Sequence, residues 1–278
     1  MMNDQEDFFI NGFTVLRDCV PADWINRCRE SIAESLSAIL GKPCDFVDYH
    51  ENLLEAKERY RLADVHKKIH GDMQGKGLKT EFLLHPCILD TLIRFLGPDL
   101  AYARAGQIFI NLESERNPVY KKRWHQEVWS GAGTLQLHLW IPIIIPESLG
   151  GIEFIKQSHH WGLIPNQNRE PTKLPDEYEI ICPELKEGDF VIFSSFALHR
   201  TVVDYAAKPR VALAVSIRNI YHPFSGHEHH LSWHNFHLSP VAKVEKILGN
   251  PYLSPFRTLG GEIGLTTDNK PNLPGILE

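Results

Sequence analysis

No two of the five cysteines, Cys19, Cys28, Cys44, Cys87 and Cys182, are spaced as C-x-x-C, and their number is odd. That argues against a zinc cage or a disulfide framework as the basis of the fold, and it predicts a reducing, cytoplasmic compartment. Long apolar runs are missing as well. The most apolar stretch, residues 135–145, falls well short of the roughly 20 residues that span a bilayer, so no membrane association is expected. The N-terminus, rich in Asp4, Glu6 and Asp7, lacks the basic and then apolar segments of a secretion leader. Basic charge is scarce too: the formal net charge is −6, and the one short basic run, Lys121-Lys122-Arg123, reads as a solvated loop. Nothing here resembles a nucleic-acid footprint, so no nucleic-acid partner is expected. Against these absences, a 43% apolar share over 278 residues supplies a sizeable core, and one domain is the expectation. Fifteen histidines prompt a search for metal ligands.

The first hundred residues read as mostly helical. A short helix over 5–10 is followed by a strand at Gly12–Leu16. A helix opens near Pro21 and Asp23, with Trp24, Ile25, Cys28, Ile32, Leu36 and Ile39 at helical spacing, and ends at Gly41-Lys42-Pro43. Residues 50–72 and 79–96 are also expected to be helical. The character then changes. β-Branched and aromatic runs recur at 100–112, 119–129, 134–145, 151–156, 178–182, 189–196, 200–204 and 210–221, separated by turn signals. The fold class predicted is mainly β with a helical N-terminal part: a double-stranded β-helix, or jelly roll, packed by α-helices. The parts would be a helical segment to about 98, a jelly-roll core over 99–221, and an extension over 222–278 made of loops with one helix near 240–248.

Two strands alternate in a telling way. Leu135, Leu137 and Leu139 form one greasy face, opposite Thr134, Gln136, His138 and Trp140. Val211, Leu213, Val215 and Ile217 form another, opposite Arg210, Ala212, Ala214, Ser216 and Arg218. Small residues between two arginines leave room for a cavity. A half-exposed antiparallel sheet would show the same alternation.

Chemistry concentrates in Trp124-His125-Gln126-Glu127. An imidazole and a carboxylate two apart on an extended backbone project to one side and can grip one cation. His199 follows 72 residues after Glu127, on a different strand. Two histidines and one carboxylate make the facial triad of non-haem iron(II) oxygenases, which leaves three positions for a chelating 2-oxo acid and O2. Arg210 comes after the turn-like segment 204–209. A hairpin there would return it beside His199 and Thr201, where a guanidinium and a hydroxyl can clamp a distal carboxylate. Taken singly these signals are weak. Most His-x-Glu pairs are solvated surface, a lone strand histidine is more often hydrogen-bonded core, and a lone arginine is more often a surface residue.

Together, in this order, they resemble the phytanoyl-CoA dioxygenase family of Fe(II)/2-oxoglutarate oxygenases. The resemblance runs from about residue 6 to 221. It rests on Phe8–Arg17, on Trp124–Glu127, on Trp140-Ile141-Pro142-Ile143, on Gly150–His159, on Glu187–Phe193 with Leu198-His199, and on Arg210. It implies that His125, Glu127 and His199 hold iron and that Arg210 and Thr201 bind 2-oxoglutarate. Trp140, Thr134, Gln107 and Asn111 would line the same pocket. His159 matches a structural motif of the family. Glu127 stands where the family usually has Asp, one methylene shorter. A carboxylate at this position argues for oxygenation rather than halogenation.

The activity implied is hydroxylation of a small molecule, with 2-oxoglutarate converted to succinate and CO2 at the expense of O2. Arg218 is a candidate for meeting a polar or anionic part of the substrate, and Trp129 for the mouth of the site. The cluster His227, His229 and His230, with His234 and His237, reads as a polar loop rather than a second metal site. Two alternatives remain: a non-catalytic jelly-roll binding protein, and a cupin-like metalloenzyme that does not use 2-oxoglutarate and has no need of Arg210.

Overall fold

Helices come first along the chain, and their apolar stripes decide where they go. The computed structural model describes residues 4–104, 107–111, 123–145, 151–201, 210–222 and 233–248. A short helix α1 (Asp4–Asn11) leads into strand β1 (Phe13–Leu16), followed by α2 (Ala22–Leu40), α3 (Tyr49–Arg59), α4 (Leu62–Gly75), α5 (Leu78–Leu84) and α6 (Pro86–Leu96). In α2 the buried Trp24, Ile25, Cys28, Ile32 and Leu36 recur at the three-to-four-residue spacing of one helix face, and Gly41 ends the helix in the left-handed conformation. The two longer helices expected over 50–72 and 79–96 are each broken. Tyr60 turns extended between α3 and α4, and His85 is held extended by Pro86, which starts α6.

The strands form two facing sheets, as the jelly roll requires. The larger carries β1, β9 (Phe190–Ser194), β4 (Leu137–Ile144), β11 (Arg210–Asn219), β2 (Leu100–Ala103) and β12 (Trp233–His237) in that order, with β3 (Gln107–Asn111) also paired to β11. The smaller runs β10 (His199–Thr201), β5 (Ile152–Ile155), β8 (Ile180–Ile181). A two-residue hairpin, β6 (Asn166–Gln167) with β7 (Glu170–Pro171), stands apart, and α7 (Pro240–Leu248) closes the described chain. β1, from the helical part, is the far strand of the larger sheet, bonded residue for residue to β9.

Alternation sorts the residues into two cores. Leu137, Leu139, Ile141 and Ile143 of β4, with Val211, Leu213, Val215 and Ile217 of β11, pack outward against α2, α3 and α4. Between the sheets lie Phe13, Trp140, Phe154, Phe193 and Ala212. Truncating one of the fully buried helix contacts, such as Leu36→Ala, costs about 2–5 kcal/mol on these terms.

Among the strands, five sequence expectations change. The strand anticipated over 119–129 is, in its described part, a single bridge at His125 followed by a 3-10 turn at Glu127–Ser130. The strand expected from 134 begins at Leu137, so Leu135 is exposed in the preceding turn instead of joining the greasy face. The run 100–112 divides into β2 and β3. The extension beyond 222 carries β12 as well as the anticipated helix at 240–248. The smaller sheet also revises the hairpin: β10 pairs with β5, while β11 lies in the larger sheet.

Candidate metal centre

His125 and His199 are locked together through their main chains. Each donates its backbone N–H to the other's carbonyl, at 3.0 and 3.1 Å. The bridge places the rings side by side, with centroids 4.1 Å apart. Glu127 then enters from the 3-10 turn, held by Ala132 N–H donating to Glu127 O and by Gly131 in the left-handed conformation. Its Oε1 lies 3.4 Å from Nε2 of both imidazoles. The three ligand atoms all fall within 4.8 Å of one another.

The protonation pattern follows from the partners. His125 Nδ1 is 2.7 Å from the Arg123 carbonyl and His199 Nδ1 is 2.9 Å from the Ala197 carbonyl. A carbonyl only accepts, so each Nδ1 carries the proton and each Nε2 presents a lone pair. Burial pushes the His199 imidazole down to about 4, with His125 adding to the shift and Glu127 opposing it. His199, neutral at ordinary pH, therefore aims a lone pair at the carboxylate oxygen, and His125 Nε2 faces the same atom. His125 Nε2 is buried with no hydrogen-bond partner among the described residues. Such a convergence of electron pairs is stabilised by a cation. Two ligands at about 2.1 Å and a right angle stand about 3.0 Å apart, close to the spacing seen. The residues fit a divalent metal bound on one face.

Gln126, between the two ligands, is fully buried and was not singled out from the sequence. Its amide N–H group donates to Gly162 O and Phe196 O at 2.8 and 2.7 Å, and its Oε1 accepts from Ile164 N–H at 3.1 Å. One side chain thus ties the His125–Glu127 segment to the approach to His199. Its place opposite two ligands on an alternating segment was the available signal.

Arg210 begins β11 on the inner face. Its guanidinium lies 5.0 Å from the centroid of the Trp140 ring and donates through Nη1 to Gly151 O. Gly151 precedes Ile152, whose backbone pairs with Thr201. Arg210 therefore reaches the Thr201 end of β10 across the gap between sheets, and not along a hairpin. The intervening 202–209 lie outside the described residues. Desolvation lowers the Arg210 pKa to about 10, which leaves it a buried cation at neutral pH.

The remaining expectations divide. On β3, Asn111 is in register with Arg210 and Gln107 with Ala214; their side chains lie outside the described residues. Thr134 is exposed in the turn before β4 and does not join Trp140. Trp129 packs in the cluster of Ile155, Ile164 and Leu198, and its indole N–H donates to Ile164 O, so the structure gives it a packing role. Arg218 is buried on the inner face, bonded to the Asn219 and His222 carbonyls and stacked 5.3 Å from the Trp233 ring. His159 donates to the Phe9 carbonyl, as a structural residue would. It crowds Gly12 so closely that a Cβ there would meet its Nδ1 at 2.5 Å, and Gly12 has φ +84°. His227, His229 and His230 lie outside the described residues. His234 stacks on Tyr102, and His237 lies against the Pro98 carbonyl.

The model of the phytanoyl-CoA dioxygenase (PhyH) family matches residues 9–212. No curated protein sequence matches the chain. Among solved structures, the apo non-heme monooxygenase ThoJ is similar at 17% identity, over 95% of this chain and 98% of that one, with a TM-score of 0.60. AviO1 from Streptomyces viridochromogenes is similar at 15% identity over 81% of this chain and 99% of that one, TM-score 0.54. EctD from S. alaskensis, with 2-oxoglutarate and 5-hydroxyectoine, is similar at 17% identity over 81% and 78%, TM-score 0.51. At such identities the likeness concerns the fold.

Proposed function

This chain belongs to the phytanoyl-CoA dioxygenase family, and on that premise we propose that it hydroxylates an unactivated C–H bond of a small molecule, using Fe(II), 2-oxoglutarate and O2. The substrate would be a secondary metabolite, amino acid, phosphonate or acyl thioester. The observation that carries the reading is the convergence of His125 Nε2, His199 Nε2 and Glu127 Oε1 on one point, with the buried Arg210 cation on the facing sheet.

Bound iron and 2-oxoglutarate supply the O2-dependent oxidant, with release of succinate and CO2. The protein's own residues do the rest. His125, Glu127 and His199 would hold the metal through two imidazole nitrogens and one carboxylate oxygen. Arg210 takes the distal carboxylate of 2-oxoglutarate, and the Trp140 ring beneath keeps its guanidinium in place. Thr201 adds a hydroxyl at the same end. Phe154 and Phe193, packed between the sheets beside His199, keep water from that side of the centre. EctD's structure holds 2-oxoglutarate on a similar fold, which supports the same use of the space between the metal ligands and Arg210. All five cysteines are free, in keeping with a cytoplasmic enzyme.

The test is succinate formation from 2-oxoglutarate with Fe(II) in air, comparing the parent with His199→Ala. Succinate above background in the parent, lost in the variant, supports the proposal. No succinate from folded, iron-loaded protein, whatever candidate substrates are added, would favour a binding protein or a cupin-like centre.

A further inference from the structure

The wall that faces the metal triad is built from the inner face of β4 and β11, and it is layered. At one end are Arg210 and Trp140, with the small Ala212 and Ala214 following along β11. One layer out, His138 stands opposite Ser216. Its Nδ1 is 3.1 Å from Ser216 Oγ and its Nε2 is 2.9 Å from Ser195 Oγ. Ser195 Oγ in turn lies 3.4 Å from the Gln136 carbonyl. Ile217 pairs with Leu137, the last pair of this register, and continuing it by one residue sets Gln136 across from Arg218. Both are even-numbered partners of His138 and Ser216, on the face opposite the helix-packed Leu137 and Ile217.

Gln136 is 4% exposed, and its Nε2 is buried with no hydrogen-bond partner among the described residues. A buried amide donor left unmade is costly, and a water, ion or ligand that meets it relieves that cost. Gln136 follows Glu127 by nine residues along the chain. Gly131 N–H donates to Val128 O, Ala132 N–H to Glu127 O and Gln136 N–H to Gly133 O, folding residues 127–136 into consecutive turns. Arg218, 2% exposed, adds a positive charge held flat against Trp233. Ala101, the partner of Arg218 on β2, is too small to fill the space.

We propose that Gln136 and Arg218 form a recognition pair for a carboxylate of the substrate, so that the enzyme acts on an organic acid whose reacting carbon is displaced from that carboxylate toward the triad. The pair offers N–H donors and one positive charge. A planar carboxylate supplies the matching acceptors and charge, and binding it relieves the unmade amide. Arg210 and Arg218 stand at opposite ends of β11. The two anionic groups, cosubstrate and substrate, are thus kept apart on one strand. The inference rests on the oxygenase reading and adds the substrate class to it.

The test uses matched probes on the full chain loaded anaerobically with Fe(II) and 2-oxoglutarate: phenylacetate against phenylacetamide, and hexanoate against hexanamide. The readout is the shift of the visible chelate band as each probe is added. At least one acid should shift the band saturably without bleaching it, while its amide needs at least tenfold more. Gln136→Glu keeps the side chain's shape but replaces donors with an anion, and should raise the acid's half-saturation at least tenfold; Arg218→Met should do the same. The inference is overturned if amides act as well as acids, if no acid shifts the band, if acids only bleach it by displacing 2-oxoglutarate, or if Gln136→Glu behaves as the parent. A parent that forms no chelate band before any probe is added fails at the oxygenase reading itself. A parent that forms the band but does not prefer acids fails at this inference alone.

Discussion

Glu127 Oε1 is equidistant, at 3.4 Å, from the Nε2 atoms of His125 and His199, although Glu127 sits on a 3-10 turn and both histidines lie on bridged extended backbone. The turn takes the Glu127 main chain off the line of the strand, and the extra methylene of Glu restores the reach.

Shortening that arm should therefore cost the metal. Glu127→Asp withdraws the carboxylate by about one bond length, ~1.5 Å, and we expect Fe(II) affinity to fall at least tenfold with the fold intact. Glu127→Gln, which keeps the length and removes the charge, should fall further. Anaerobic titration with Fe(II), followed by circular dichroism of the apo forms, measures both. An Asp variant that binds Fe(II) as well as the parent would show that the turn does not set the reach.

Gln126 makes a separate prediction. Replacing it by Leu leaves the carbonyls of Gly162 and Phe196 and the Ile164 N–H without their partner. Each orphaned buried group costs about 1–3 kcal/mol. Denaturant unfolding of the apo protein should lose about 3 kcal/mol or more, and Fe(II) affinity should weaken with it. Gln126→Glu at neutral pH should also be harmed, since its carboxylate cannot donate to two carbonyls. Unchanged unfolding midpoints would contradict the account of Gln126 as the knot behind the ligands.

What the sequence showed and hid follows from the same geometry. The triad was legible because residue type and order carry it: His125, Glu127, His199 and Arg210 are few, polar and set in apolar runs. The alternation of β4 and β11 was legible for the same reason, and the structure puts Val211, Leu213, Val215 and Ile217 on one side as read. The turn at Glu127 was not. Val128 and Trp129 look like strand residues, and only tertiary bonds, Trp129 Nε1–H to Ile164 O and Val128 N–H to Ser195 O, fold them into a 3-10 turn. Thr134 was misplaced because β4 starts three residues later than its pattern suggests. β12 hid in Trp233–His237, whose mixed aromatic and polar residues pair with β2 only once the larger sheet is formed. Gln126 gave no signal, and Gln136 none beyond its place on the polar face of β4, because an amide carries no chemistry until its partners, or their absence, can be seen.

Acid should weaken the metal-free protein in a defined window. Burial lowers the imidazoles of His66, His70 and His199 to about 4 from an ordinary 6.5. The folded chain keeps them neutral between those values, whereas the unfolded chain protonates them. The unfolded state then binds more protons, so stability is fully present above about 6.5 and is lost as pH falls toward 4. Denaturant midpoints measured from pH 8 to 4.5 should be flat at the top and fall steeply below 6.5. His66→Gln should flatten the slope. A midpoint that stays level to pH 4.5 would contradict the buried, neutral state of these rings.

The most direct test of the central claim is the visible absorption of the anaerobic protein with Fe(II) and 2-oxoglutarate, with Glu127→Ala and Arg210→Met alongside. The account predicts a metal-to-ligand charge-transfer band in the parent, lost in Glu127→Ala because the ion is no longer held. In Arg210→Met it should appear only at 2-oxoglutarate concentrations at least tenfold higher. Folded parent protein that shows no band would contradict the assignment of iron to His125, Glu127 and His199 and of the cosubstrate to Arg210.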